Sequence, residues 1–228
     1  MTQRSIQAGI APNVLIKAGG SVTVKAHESD RVVASTAGKW GLKVEKRQAS
    51  EIARARAAIG EHVLFDLRLK LPTWEGKSGP QEVIEIQLGG NGEVWVPFAA
   101  NLKVYAGKNI DVQGVRGQVD AYAGFRLNLQ SVRSLGHASS GWAMNLDCER
   151  LVGERAEFKA GSDLRFQVHE LTNALIRVKD IGGYWEARLG EGEKDVTLKS
   201  GGDVTLVTDQ EVVPLPPNFV LGKVEKRG

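Results

Sequence analysis

Between Glu93 and Val132 the apolar residues come in short alternating pairs: Leu102/Val104, Ile110/Val112, Val119/Ala121 and Leu127/Leu129. Their first members step by 8, 9 and 8 residues, and Gly107, Gly114, Gly117 and Gly124 fall between them. Alternation over three or four positions is the strand period, and glycine at each break permits the positive φ of a tight turn. A strand this short cannot bury its apolar face alone. Repetition at a fixed interval lets each rung cover the next, which is how solenoids build a core.

The same texture runs along most of the chain. Val14/Ile16, Val22/Val24 and Val32 alternate with polar residues, and Trp40, Leu42 and Val44 add another short strand over Gly38–Lys46. Residues 49–60 depart from it: Ser50 is a good N-cap, Ile52, Ala55 and Ile59 share a helical face, and Gly60 stands where a helix would stop. A short helix near residues 50–59 is predicted. Arg47, Arg54 and Arg56 make this the most basic corner, read either as an anion contact or as a solvated helix face. Val63–Leu71 alternates cleanly as a strand, and Trp74 follows in a loop rich in glycine and proline. Later rungs include Trp142/Met144/Leu146, Ala156/Phe158, Leu164/Phe166/Val168, Tyr184/Trp185, Val196/Leu198 and Val204/Leu206. From Val212 three prolines interrupt the pattern, as a cap or as a loose tail.

The predicted architecture is therefore all-β: a single-domain β-solenoid, or β-helix, of short glycine-punctuated strands with that one helix. Residues 1–13 form an N-terminal arm. Residues 14–211 form the domain, with opening hairpins, helix and strands over 14–92 and regular rungs over 93–211. Residues 212–228 form a proline-rich tail or cap.

Composition narrows the partners. With 228 residues, 42% hydrophobic and 25% charged, the chain is long enough and apolar enough for a real core. Thirty basic residues against 27 acidic ones leave a net charge of +3 and no strong field, so no nucleic-acid partner is expected. The single cysteine, Cys148, excludes a disulfide within the chain. The opening MTQRSIQAGIAPNV lacks the apolar segment of a secretory signal, and no apolar run approaches the roughly 20 residues of a membrane span. The chain reads as cytoplasmic, without a membrane span.

Motifs that carry chemistry are missing from the sequence. There is no P-loop and no nucleophile elbow, and His27, His62, His137 and His169 lack metal-ligand spacing. No catalytic residue, metal or cofactor is expected. Cys148 alternates with Met144 and Leu146 and reads as a packed residue. Two carboxylate pairs, Asp111/Asp120 and Glu157/Asp163, would matter if adjacent rungs turned them into one groove; a solvated outer face is the alternative. Aromatics are the more informative feature. With Leu102 and Val119 inward, Tyr105 and Tyr122 fall outward or at corners, and Trp74 and Trp185 join them as candidate ligand or partner contacts. Such residues either stack on sugar rings and partner surfaces or fill the corners of a tapered core.

The central stretch resembles a bacterial family of β-solenoid domains called "putative adhesin", bactofilin-like in architecture. Carrying the resemblance are Val96-Pro97, Leu102-x-Val104, Gly107-x-x-Ile110-x-Val112 with Gly114, and Gly117-x-Val119, with VLIKAGGSVTVKAH as the opening hairpin. It spans residues 14–207 and implies no catalytic residues. The functional expectation is a non-catalytic scaffold or self-assembling module, as a homo-oligomer or an end-to-end assembly. The alternative is a module that binds a protein, a glycan or another surface ligand through its aromatics. Facing alone predicts that Val119→Asp is severely destabilising and that Asp120→Ala, on the opposite face, costs little.

Overall fold

The computed structural model describes residues 1–37, 41–48, 82–215 and 223–226. The helix expected over residues 50–59, the strand over 63–71 and Trp74 lie outside the described residues. All described regular structure is β, and every strand belongs to one hydrogen-bonded network. Among the described residues no helix is long and apolar enough to cross a membrane.

Two ladders make up the network. The first begins with β5 (Leu42–Gln48) and β6 (Glu82–Leu88), then β2 (Asn13–Ala18), β8 (Asn101–Ala106) and β10 (Gln118–Ala123). The second half of β11 (Leu127–Ser140) follows, then β13 (Arg155–Ala160), β17 (Lys194–Ser200) and β15 (Ala174–Asp180). It closes with β16 (Gly183–Leu189) and β19 (Val212–Pro214). The second ladder starts with β1 (Thr2–Gln7), β4 (Arg31–Thr36), β7 (Gly92–Pro97), β3 (Val22–His27) and β9 (Ile110–Gln113). It continues through the first half of β11, β12 (Met144–Leu151), β14 (Leu164–Val168), β18 (Val204–Val207) and β20 (Lys223–Glu225).

Pairing is parallel through the body of both ladders. It turns antiparallel at three of their four ends, at β5–β6, β1–β4–β7 and β15–β16–β19, and stays parallel at β18–β20. In the middle a rung repeats every 17 residues: Leu102 pairs with Val119, and Asn128 bonds Asp111 at |i−j| = 17. Sequence steps of 8 and 9 therefore each take the chain from one ladder to the other. Within the tail, Val212–Pro214 and Lys223–Glu225 form β19 and β20.

Inward residues of both ladders merge into one core, with Phe158 of β13 and Phe166 of β14 in contact at 5.4 Å. Trp142 is not an inward rung residue. It stands at the turn before β12 and is 47% exposed.

The breaks need glycine for a reason other than the expected one. Of the four central glycines only Gly114 has positive φ, at 73°. At Gly124 the constraint is close approach: a Cβ there would lie 2.2 Å from the Gly107 carbonyl oxygen, and one on Gly107 would lie 2.5 Å from that of Gly19. Each of these amides donates one rung back, Gly124 to Ala106 at 2.9 Å and Gly107 to Ala18 at 3.0 Å. Stacked corners leave no room for a methyl between successive backbones.

Candidate ligand-binding face

On the outward side of the first ladder, parallel register sets like-numbered positions in columns. One column reads Lys17, Tyr105, Tyr122, Ser139, Lys159, Lys199. Adjacent rungs lie about 4.8 Å apart, close to the stacking distance of aromatic rings. Tyr105 and Tyr122 accordingly stack at 5.0 Å between centroids, 7° from parallel. Tyr105 is only 6% exposed and packs with Leu15 and Val83 in a small apolar cluster outside the main core, with Tyr122 against its edge.

Tyr122 separates two concavities. On one side runs an apolar groove of about 1000 Å³, lined by both tyrosines, by Leu42 and Leu88, and by the small corner residues Ala106 and Ala123. Two of its three lysines are matched by acids: Lys17 bonds the buried Glu85 at 2.5 Å, and Lys43 meets Glu45 at 2.9 Å. Burial pushes the Glu85 carboxyl up, but hydrogen bonds from Lys17 and Gln87 outweigh it and hold the group below its usual range.

On the other side lies a polar cleft of about 510 Å³, lined by Tyr122, His137, Ser139, Arg155, Glu157, Lys159, Asp195 and Thr197 among others. Glu157 accepts from Lys199 at 2.6 Å and pairs with Lys159 at 3.0 Å, and these two bonds pull its carboxyl below the ordinary range. Arg177 holds Asp195. Burial, with the nearby Asp120 charge, pushes the Tyr122 phenol up to about 12. It remains a neutral donor and acceptor at physiological pH.

A bulge shapes this cleft. Register between β10 and β11 slips between Val119 and Ala121, so that Gly136 and His137 stand opposite Asp120. The Asp120 carboxylate, 6% exposed, accepts the His137 amide at 3.0 Å. Gly136 is required there, since a Cβ would lie 2.3 Å from that carboxylate oxygen.

Of the aromatics expected to face a ligand, Tyr105 and Tyr122 come together on this face. Trp185 does not: it is 4% exposed within the main core, and its indole N–H donates to Asp180 at 3.4 Å. The carboxylate pairs are not assembled. Asp111 belongs to the second ladder and Asp120 to the first; Glu157 lies in β13, and Asp163 stands at the turn before β14. Asp111 instead begins a ladder of side-chain amides, accepting from Asn128 at 2.8 Å, which in turn accepts from Asn145 at 2.8 Å. Cys148 is buried, and burial, then Asp147 and Glu149, push its thiol up to about 12. Among the described residues no group of three or more His, Cys, Asp or Glu is placed to hold a metal ion.

Sequence reasoning missed two features. Arg155 and Lys159 form part of the cleft wall, with no signal beyond their outward positions in an alternating strand. Phe125 and Trp142 stack at 5.9 Å, 44% and 47% exposed, with the Arg126 guanidinium 5.3 Å from the Phe125 ring centroid. A signal existed for that pair, because each directly follows a corner glycine, Gly124 and Gly141.

No family model and no curated protein matches the chain. Among solved structures it is similar to the crystal structure of a "putative cell adhesion protein" from Clostridium sporogenes, at 8% identity, over 90% of this chain and 98% of that one, with a TM-score of 0.41. Likeness at that level carries no argument about function, and the resemblance of the rungs rests on their residues alone.

Proposed function

We propose that the chain is a non-catalytic β-solenoid whose first ladder displays a carbohydrate-binding face, an adhesin-like binding module. The two parallel ladders are the walls of the solenoid, and the 17-residue repeat is one turn of it. One observation carries the functional reading: Tyr122 is the shared wall of an apolar groove and a polar cleft. A sugar ring presents an apolar face of C–H groups and a rim of hydroxyls. An aromatic face beside ionised, hydrogen-bonding side chains matches both.

Charge states in the cleft favour binding over hydrolysis. Glycoside cleavage needs one carboxyl kept protonated as general acid. Glu157 is pulled the other way by Lys199 and Lys159 and is not placed as that acid.

Screening the wild-type chain and Tyr122→Ala on a glycan array tests the proposal. The expected result is a set of wild-type hits that weaken by roughly tenfold or more in the variant, the scale of losing one stacked aromatic contact. An array without wild-type hits would retire it.

A further inference from the structure

We infer that the cleft beside Tyr122 takes a sugar ring bearing a carboxylate, with Arg155 as its anion contact. The inference deepens the carbohydrate-binding reading and rests on it. The cleft opens where the first ladder forks. Ser134 and Leu135 of β11 pair with Arg150 and Leu151 of β12, while only Ala138–Ser140 pair with Phe158–Ala160 of β13. The leading half of β13, Arg155–Glu157, therefore has no partner on the β11 side, and β17 pairs it on the other. Ala138 and Ser139 give this gap a low floor. One face of Tyr122 is covered by Tyr105, and its next neighbour in the column is the small Ser139. A ring lying against the remaining face of Tyr122 thus meets Ser139 where other rungs carry a long side chain.

Both carboxylates of the cleft are already paired. Lys199 and Lys159 hold Glu157, and Arg177, reaching from β15, holds Asp195. Arg155 stands directly opposite Asp195 in the β13–β17 register, yet among the described residues it has no ion pair. Of the two cations that line the cleft, Lys159 is held by Glu157 and Arg155 is left without an acid. A guanidinium is a planar fork that matches a carboxylate through two parallel N–H···O bonds, and both partners are ionised at neutral pH. A neutral ring in the same place offers Arg155 only hydroxyl oxygens, weaker acceptors for a guanidinium than a carboxylate. A uronate satisfies the stacking surface, the hydroxyl partners and the spare cation together.

The test uses the full chain with tetragalacturonate and its fully methyl-esterified form, which keeps the rings and removes the charge. Titration calorimetry of the wild type is expected to show the acid binding roughly tenfold or more tighter than the ester. Arg155→Gln is expected to weaken binding of the acid and so shrink that difference to about twofold or less, with the melting temperature unchanged. Tyr122→Ala is expected to weaken both ligands. Equal affinity for acid and ester, unmoved by Arg155→Gln, would overturn the inference and leave the binding face standing. If neither form binds while the array yields neutral glycans, the inference again falls alone. Absence of binding on both overturns the inference together with the proposed function.

Discussion

Asp120 shows why facing alone misjudges a residue. Alternation along β10 turns Val119 and Ala121 to the core and Asp120 away from it, so truncating Asp120 is expected from the sequence to cost little. The bulge at Gly136–His137 changes that, because the carboxylate is covered and accepts the one amide that the slipped register frees. A buried acceptor exchanged for a methyl leaves that N–H unpaired, at a cost of about 1–3 kcal/mol. Asp120→Ala is therefore expected to lower the melting temperature by several degrees. Val119→Asp, which removes a fully buried apolar side chain and inserts a charge, is expected to lower it further. Thermal unfolding followed by circular dichroism separates the cases. An Asp120→Ala variant that melts with the wild type would mean that the carboxylate does not secure the bulge.

At the scale of the element, the corner was legible in outline and misread in mechanism. The spacing of Gly107 and Gly124 marks the breaks correctly, since a turn that recurs at a fixed interval leaves its mark in composition. Periodicity says nothing of how close one turn lies to the next. That close approach, rather than positive φ, is what excludes a side chain. Gly124→Ala would force a methyl to 2.2 Å from the Gly107 carbonyl oxygen, backbone that can yield only by parting the rungs. Gly114→Ala has room, with its nearest neighbour at 3.8 Å, and carries only the penalty of a positive φ, about 1–2 kcal/mol. Urea unfolding is expected to rank Gly124→Ala well below Gly114→Ala; the reverse order would contradict close packing at the corner. The candidate site was legible in the same partial way. Tyr105 and Tyr122 are 17 residues apart, the sum of two steps visible in the sequence, and their stacking follows from it. Trp185 gave the opposite result because it stands directly opposite Val178 in the β15–β16 register and shares that residue's inward face. Arg155, Lys159 and Glu157 could not be gathered into one cleft from sequence. The fork of β11 between two partners obeys no repeat.

For the whole molecule, repetition raises the question of whether one chain templates the next. A parallel stack with bare ends would expose unpaired backbone donors and acceptors, and that was the ground for expecting end-to-end assembly. Here the outermost described strands are unsuited to it. At the starting end lie β1, polar throughout apart from Ile6, and β5, which carries Lys43, Glu45, Lys46 and Arg47. At the far end β19 and β20 have three residues each, one holding Pro214 and the other Lys223 and Glu225. Short strands, charge and proline are the means by which edges resist pairing, and the antiparallel pairing of β1, β5 and β19 breaks the register that another copy would have to continue there. Light scattering after size exclusion is therefore expected to give the 24.7 kDa monomer across a hundredfold range of concentration. Replacing the edge charges at the starting end, Arg4→Val with Lys46→Val, is expected to bring in association that grows with concentration, because an apolar side chain no longer opposes a neighbouring strand. A wild-type chain that already forms concentration-dependent multimers would show that these edges do not block pairing, and would return the scaffold reading to first place.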